Sequence, residues 1–225
     1  MENPWIELPA SAPFVLPSDA APINAFNDRE RQRRSDCERL QLDLLPEPYI
    51  GRPDAPIVIL KSHPGYHPSD AHFAANEVSR EAWRRNILHE PVDYPFYVLD
   101  PDLAWTDHAK WWRRKIRQVI ALSNERTVAN NVLCIHGCPY RSYRHPALPG
   151  LLTSQPYSVA LVDQAIDRNA VILMGNTVRW WHEMVPRLGM YPHLFIARVA
   201  RGGHITPGYY PEGFSRLEQV LRECS

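Results

Sequence analysis

The sequence predicts an α/β fold with a central, mainly parallel sheet between two layers of helices, a three-layer α/β/α arrangement. Short apolar runs rich in β-branched residues, such as APIVILKS at 55–62, alternate with stretches of helical spacing, such as 104–123. Turn residues follow most of the short runs, for example Gly and Pro at 63–65. Alternation of this kind is typical of strands joined by crossover helices.

The first 25 residues predict an extended arm rather than a regular element, because regularly spaced prolines block both helix and central strand. Residues 26–225 then form a single α/β domain. The prolines of the arm are Pro4, Pro9, Pro13, Pro17 and Pro22.

The remaining elements follow from periodicity along the chain. Buried strands are expected where apolar residues run together, and helices where they recur every three to four positions, as Trp112, Ile116 and Val119 do. The predicted strands cover 55–62, 95–100, 130–137, 170–176 and 193–200. The predicted helices cover 26–46, 69–89, 104–123, 158–169, 177–188 and 214–224.

Composition excludes some classes of protein. The 225 residues carry 25 basic and 25 acidic side chains, which argues against a histone-like protein and against an acidic solvating one. Residues 108–145 nevertheless carry 8 basic groups and 1 acidic group, so a nucleic-acid partner remains open. Four cysteines are too few for a disulfide scaffold, and neither a signal peptide nor a membrane-spanning run is visible. We therefore expect a cytoplasmic monomer without membrane contact.

In a parallel sheet the ligand site lies beyond the carboxyl ends of the strands, so the segments after the strands carry the candidate residues. The first is SHPGYHPSD at 62–70, where Pro64 and Gly65 let a backbone approach closely, Tyr66 offers a stacking face and Asp70 opens a helix. The same residues also suit a rigid turn in which Asp70 only caps that helix.

Two further segments follow later strands. GGHITPGYY at 202–210 contains His204, which could donate to a developing anion, and Thr206, beside backbone N–H groups that could hold a phosphate. HGCPYRSYRH at 136–145 interleaves cations with aromatic rings, a composition that suits a nucleic-acid strand, with Arg141 and Arg144 on phosphates. The alternative for 202–210 is a Gly-rich connection without a functional role, and the alternative for 136–145 is a solvated loop.

The spacing Cys134-x-His136-x-Cys138 places three potential ligands near one strand end. Cys134 lies within an apolar strand, however, where a small buried cysteine is common, and no second pair of close cysteines exists in the chain. We expect neither a metal nor another cofactor.

The order of these motifs resembles the uracil-DNA glycosylase superfamily over residues 50–222. The first motif of that superfamily is a strand followed by Asp or Asn, Pro-Gly and an aromatic residue, and its counterpart here is His63-Pro64-Gly65-Tyr66. Its last motif, His-Pro-Ser-Pro, corresponds to His204-Ile205-Thr206-Pro207. The strand ending in His136 resembles the one that ends in a base-reading Asn. The chain departs from the family at these positions, with His63 in place of the catalytic Asp or Asn.

The resemblance implies a parallel sheet flanked by helices and a role for each candidate residue. His204 would hydrogen-bond the departing base, and His63 would position the attacking water, with the Asp70 carboxylate as the reserve candidate for that role. Tyr66 or Phe73 would stack on the extruded base, and His136 would read its edge. Backbone phosphates would be contacted by Pro64, Gly65 and Thr206.

Three functions remain open on the sequence alone. The first is a DNA glycosylase that hydrolyses the N-glycosidic bond of a damaged or modified base in single-stranded or duplex DNA. The second is a non-catalytic nucleic-acid-binding relative of the same fold. The third is an unrelated α/β enzyme acting on a nucleotide, although no Gly-rich phosphate loop supports it.

Overall fold

The computed structural model describes residues 1–33, 37–175, 178–198 and 203–224. Five strands and nine α-helices lie within these ranges, together with several short 3₁₀ turns. The strands are β1 Tyr49–Ile50, β2 Ile57–Lys61, β3 Val132–His136, β4 Val171–Met174 and β5 Leu194–Ile196. The helices are α1 Pro17–Gln32, α2 Asp70–Ala75, α3 Glu77–Ile87, α4 Asp107–Lys115, α5 Arg117–Ile120, α6 Glu125–Asn131, α7 Gln155–Asp167, α8 Val178–Met184 and α9 Pro211–Glu223.

The strands form one sheet in the order β1-β3-β2-β4-β5 across the described residues. β1 pairs antiparallel with β3, whereas the other neighbours pair in parallel. β3 and β4 are buried along their whole length, as is β2 except at Lys61, which explains their unbroken apolar sequences. The α/β class and the mainly parallel sheet are therefore confirmed.

The register of β2 and β3 determines which side chains meet at the carboxyl edge of the sheet. Lys61 pairs with His136, the last residue of each strand. Paired residues on neighbouring strands project from the same face, so these two side chains stand side by side. Both segments that follow the strands leave from this edge.

A glycine allows β1 to turn away at the opposite edge. Gly51 has a φ of +112°, a conformation that side chains with a Cβ rarely adopt. A Cβ at this position would also collide with the carbonyl oxygen of Val132, at the start of β3. The close approach of the two backbones explains why this position requires glycine.

The prediction of an extended arm over 1–25 is wrong for residues 17–25, which belong to α1. Pro17 occupies the first turn of the helix, where a missing N–H costs nothing. Pro22 lies inside the helix and cannot donate to the carbonyl of Ser18, four residues earlier. The hydroxyl of Thr153 donates to that carbonyl instead, at 3.2 Å, so a tertiary contact satisfies the group that the proline leaves free.

Two other predicted elements are also wrong. The helix expected at 26–46 ends at Gln32, and residues 37–46 form no helix. Residues 34–36 lie outside the described residues. The run at 95–100 is not a strand but contains a 3₁₀ turn, Tyr97–Leu99. Its apolar residues are buried by tertiary packing, and the N–H of Phe96 donates to Ala129 rather than to a strand.

Two predicted helices are each divided in two. The stretch 69–89 breaks at Asn76, whose side chain accepts from the N–H of Ser79 and so caps α3. The stretch 104–123 breaks after Lys115, because the carbonyl of Lys115 accepts from the N–H of Ile205. That tertiary bond replaces the one that would have continued the helix.

The other predicted elements lie where the sequence places them but differ in length. α6 precedes β3 and was not predicted, α7 begins three residues earlier than expected, and the stretch 177–188 ends as a 3₁₀ turn over Pro186–Met190. The predicted strand ends at 176 and at 199–200 lie outside the described ranges, as does Gly202. Among the helices described, none has the length and apolar character needed to cross a membrane.

Candidate functional site

A cavity of about 640 Å³ opens at the carboxyl ends of β2 and β3. The segment 63–70 and helix α4 form its walls, and a segment that precedes β1 lies at its floor. The lining side chains used below are those of Glu47, Lys61, His63, Tyr66, Asp70, His108, Trp111, Trp112, Arg114, His136 and Arg141.

The floor of the cavity contains a buried carboxylate, Glu47, which is 1 % exposed. Its Oε2 accepts from the hydroxyl of Tyr97 at 2.7 Å and from the guanidinium of Arg141 at 3.0 Å. Its Oε1 is equally buried and has no hydrogen-bond partner among the described residues. One oxygen is thus fixed in place while the other keeps its lone pairs, an arrangement that suits a group orienting a water or a substrate N–H.

Backbone hydrogen bonds hold Glu47 at the end of β3. Its N–H donates to the carbonyl of Pro139, and the carbonyl of Pro48 accepts from the N–H of His136. The indole N–H of Trp83 fixes the carbonyl of Pro46 at 2.6 Å. Sequence reasoning missed Glu47, and the signal that could have found it is a lone acidic residue between two prolines in an apolar stretch.

His136 is buried and its tautomer follows from a single contact. Its Nδ1 lies 2.7 Å from the carbonyl oxygen of Glu47, which can only accept, so Nδ1 carries the proton. Burial lowers the pKa of His136 to about 3, despite the opposing effect of the Glu47 carboxylate. The ring is therefore neutral at pH 7 and its Nε2 is an acceptor.

His63 lies directly after β2, as the sequence predicts. Its Nδ1 is 3.0 Å from the hydroxyl of Ser62, and its buried Nε2 has no partner among the described residues. Burial, with the nearby His145, lowers the pKa of His63 to about 4. The imidazole is uncharged at neutral pH and can act as a base.

His108 of α4 is a site residue that the sequence did not indicate. The indole N–H of Trp112 donates to its Nε2 at 3.2 Å, so this nitrogen carries no proton. Nε2 also lies 3.5 Å from Glu47 Oε2, but burial lowers the pKa of His108 to about 3 and the ring stays neutral. The contact is therefore not an ion pair.

Lys61 ends β2 beneath two indole rings of α4. Its Nζ lies 4.5 Å from the ring centre of Trp111 and 5.1 Å from that of Trp112. Burial lowers the pKa of Lys61, and the Lys115 ammonium adds to this effect, whereas Glu47 opposes it. Sequence reasoning did not assign a role to this lysine.

Arg141 is not a surface cation, which corrects its expected role on a phosphate. It is 5 % exposed, and its Nε donates to the carbonyl of Leu45 while Nη2 binds Glu47. Nη1 lies 3.7 Å from Asp70 Oδ2, so the guanidinium connects two carboxylates of the site. Asp70 also accepts from the N–H of His67 at 2.8 Å, which fixes the turn after β2.

The structure brings some of the predicted residues to the cavity and leaves others apart from it. Tyr66, Pro64 and Gly65 line the cavity with His63, Asp70 and His136. Phe73 is 6 % exposed, packs against the rings of Tyr97 and His108, and does not line the cavity.

The last loop contacts the site through its glycine rather than its histidine. Gly203 lies against Lys61, with only 3.4 Å between Nζ and the place where a Cβ would be. His204 Nε2 instead accepts from Lys115 Nζ at 3.2 Å. Thr206 turns the chain into α9 by accepting from the N–H of Tyr210, and Arg144 is exposed beside Cys37.

The described residues contain no group of three or more His, Cys, Asp or Glu side chains arranged to hold a metal ion. Cys134 Sγ and His136 Nε2 are 3.9 Å apart, but burial raises the pKa of the Cys134 thiol well above its usual value. A protonated thiol in this position is a buried apolar group rather than a ligand.

Comparison with known proteins gave no match to any protein-family model, and no significant match to a curated protein or to a solved structure. The chemistry of the site therefore rests on its own geometry. That geometry combines a fixed buried carboxylate, three neutral imidazoles, a half-buried tyrosine ring and a half-buried lysine around one cavity.

Proposed function

We propose that this protein hydrolyses the N-glycosidic bond of a base in a nucleic acid, using a three-layer α/β/α fold of the uracil-DNA glycosylase type. The observation that carries the proposal is the buried Glu47 carboxylate, with an unpartnered Oε1, at the floor of a cavity large enough for a nucleobase. Tyr66 and His136 line the same cavity and supply a stacking face and an edge acceptor.

Glu47 takes the role of water-positioning group, which the sequence suggested for His63. N-glycosidic hydrolysis develops positive charge on the sugar and negative charge on the departing base. A carboxylate that orients the attacking water also stabilises the sugar cation, which a neutral imidazole does not. His63, uncharged at neutral pH, is then available to accept the proton from that water.

The tautomer of His136 restricts the base that fits. Because Nδ1 donates to the carbonyl of Glu47, Nε2 can only accept. The edge of the base that meets it must therefore present an N–H, either a ring N–H or an exocyclic amino group. A base that presents only acceptors at this position would leave two lone pairs facing each other and would bind poorly.

Cationic side chains at the mouth of the cavity suit a polyanionic substrate. Arg114 of α4 lines the mouth and is exposed, and the neighbouring Lys115 contributes a second positive charge. Non-specific contacts of this kind predict that binding to an oligonucleotide weakens steeply as salt rises. Arg114 and Lys115 thus replace Arg141 as the expected phosphate contacts.

The test is base release from a panel of oligonucleotides that each carry one damaged or modified base, measured as alkali-labile abasic sites. We expect release from at least one of them, and a loss of about 10²–10³-fold in rate for Glu47→Gln, which keeps an acceptor for Tyr97 but removes the charge. The matched control is Glu30→Gln, because Glu30 is as deeply buried but lies in α1, away from the cavity.

The outcomes separate the candidate functions. Oligonucleotide binding without any base release would contradict the hydrolase and leave a nucleic-acid-binding protein. Binding of mononucleotides without affinity for either form of DNA would contradict both and favour a nucleotide enzyme. Equal loss of activity in the Glu30→Gln control would show that Glu47→Gln acts through stability alone.

A further inference from the structure

Lys61 differs from an ordinary surface lysine in its surroundings. Its amine lies under the faces of Trp111 and Trp112, on the wall of the cavity, and the described residues give it no ion-pair partner. Lys110, on the same helix as the two tryptophans, is 61 % exposed and pairs with Asp107 at 3.5 Å. Of the two amines, only that of Lys61 is both shielded from water and accessible to a molecule bound in the cavity.

Gly203 comes close to the amine without placing a side chain against it. Gly203 has a φ of +59° and approaches Lys61 with its backbone alone. On the other side, His136 stands next to Lys61 in the register of the sheet and leaves its Nε2 as an acceptor. An electrophilic carbon bound above Glu47 would therefore lie next to both the Lys61 amine and a proton acceptor, His136 Nε2.

We propose that Lys61 is a nucleophile that forms an imine with the aldehyde of an abasic sugar held in this cavity. The proposal rests on the proposed function, because removal of a base leaves a sugar whose ring-open form carries an aldehyde. Burial lowers the pKa of Lys61, and a lysine whose pKa is lowered is the side chain suited to such chemistry.

The step is balanced without an added oxidant or reductant. The nitrogen lone pair of Lys61 attacks the aldehyde carbon, and the C–O π electrons move to the oxygen. The two amine protons pass to that oxygen, which leaves as water while the C=N bond forms. Hydrolysis by one water reverses the step and releases both the aldehyde and the free lysine.

The experiment uses an oligonucleotide whose abasic site is made beforehand by an unrelated route, so that it does not depend on base release by this protein. Borohydride reduces an imine to a stable amine and so records it as a covalent protein–DNA adduct. We expect an adduct with the full chain, located on Lys61 by peptide mapping, and a decrease of at least about tenfold for Lys61→Arg, since Arg is always protonated.

Two controls keep the proposal open to contradiction. Lys110→Arg should form the adduct as the unaltered chain does. Lys61→Arg should still bind an oligonucleotide that carries a tetrahydrofuran analogue, which has no aldehyde, and this would show that the cavity is intact.

An adduct that maps to Lys110, Lys115 or the N-terminal amine overturns the assignment of Lys61. Binding of the analogue by the unaltered chain without any adduct overturns the imine but not the proposed function. Failure to bind the analogue and to release any base overturns both.

Discussion

Asp19 joins the N-terminal helix to the rest of the molecule through three hydrogen bonds. Its Oδ2 accepts from the hydroxyl of Tyr140 at 2.9 Å and from that of Ser154 at 2.5 Å, and its Oδ1 accepts from the N–H of Ser154. All three groups are buried, and the carboxylate itself is fully enclosed. The side chain therefore holds α1 against the start of α7.

Replacement of Asp19 by Ala should destabilise the fold by about 3 kcal/mol, because buried donors that lose their acceptor cost about 1–3 kcal/mol each and relaxation recovers part of the sum. Asp28→Ala is the matched control, since Asp28 lies in the same helix but is mostly exposed. It should change the free energy of unfolding by less than about 0.5 kcal/mol. Urea titration measures both, and equal effects would contradict the anchoring role of Asp19.

Single residues of the site were predictable when local sequence determines their position. His63 and His136 follow or end buried strands, so the carboxyl edge of the sheet brings them together. Glu47 was missed because the groups that fix it, Tyr97 and Arg141, are 50 and 94 residues away in sequence. Arg141 was misassigned for the same reason, since its sequence neighbours do not indicate that it is buried.

At the scale of elements, the packing of α9 on the sheet requires a glycine. A Cβ on Gly213 would lie 2.7 Å from atoms of Phe195 in β5 and 3.0 Å from Leu173 in β4. The helix therefore approaches these strands more closely than a side chain would permit.

Gly213→Ala should lower the free energy of unfolding by about 1–3 kcal/mol through overpacking, even though alanine favours a helix. Gly150→Ala serves as the control, because nothing lies within 4 Å of its Cβ position. Thermal or urea unfolding of the two variants tests the difference. A stabilising effect of Gly213→Ala would show that α9 can move away from the sheet at little cost.

Elements were predicted well where a strand is buried within the sheet or where one face of a helix packs against it. β2, β3 and β4 follow from their apolar sequences, and α7 and α9 follow from their periodicity. The breaks were not predictable, because the break after Lys115 depends on a hydrogen bond to Ile205, 90 positions later. The run at 95–100 shows the converse error. Its residues are apolar because they are buried in the tertiary structure, although they do not form a strand.

At the scale of the whole molecule, four histidines remain neutral because the fold buries them. Burial lowers the pKa of His63 and His89 to about 4, and that of His108 and His136 to about 3. In the unfolded chain each has a pKa of about 6.5. Between about pH 6.5 and pH 4 the unfolded chain therefore binds protons that the folded chain does not.

Stability should consequently be full above about pH 6.5 and should fall as the pH drops toward 4. We expect a loss of about 1 kcal/mol for each of the four histidines between pH 7.5 and pH 5.5, because all four rings stay neutral in the folded chain over this range. His108→Gln should reduce this loss, whereas the exposed His72→Gln should not. Urea unfolding at the two pH values measures it, and an unchanged free energy would contradict the burial of these rings.

The way in which Glu47 is held has a consequence for biosynthesis. A nascent chain reaches Tyr97 and Arg141 only 50 and 94 residues after Glu47, so the carboxylate cannot acquire both partners until residue 141 has been made. Contacts between such distant positions form late, because a long loop must close first. We therefore expect the pocket to be completed late in folding, and we expect translation that stops before residue 141 to yield a chain without it.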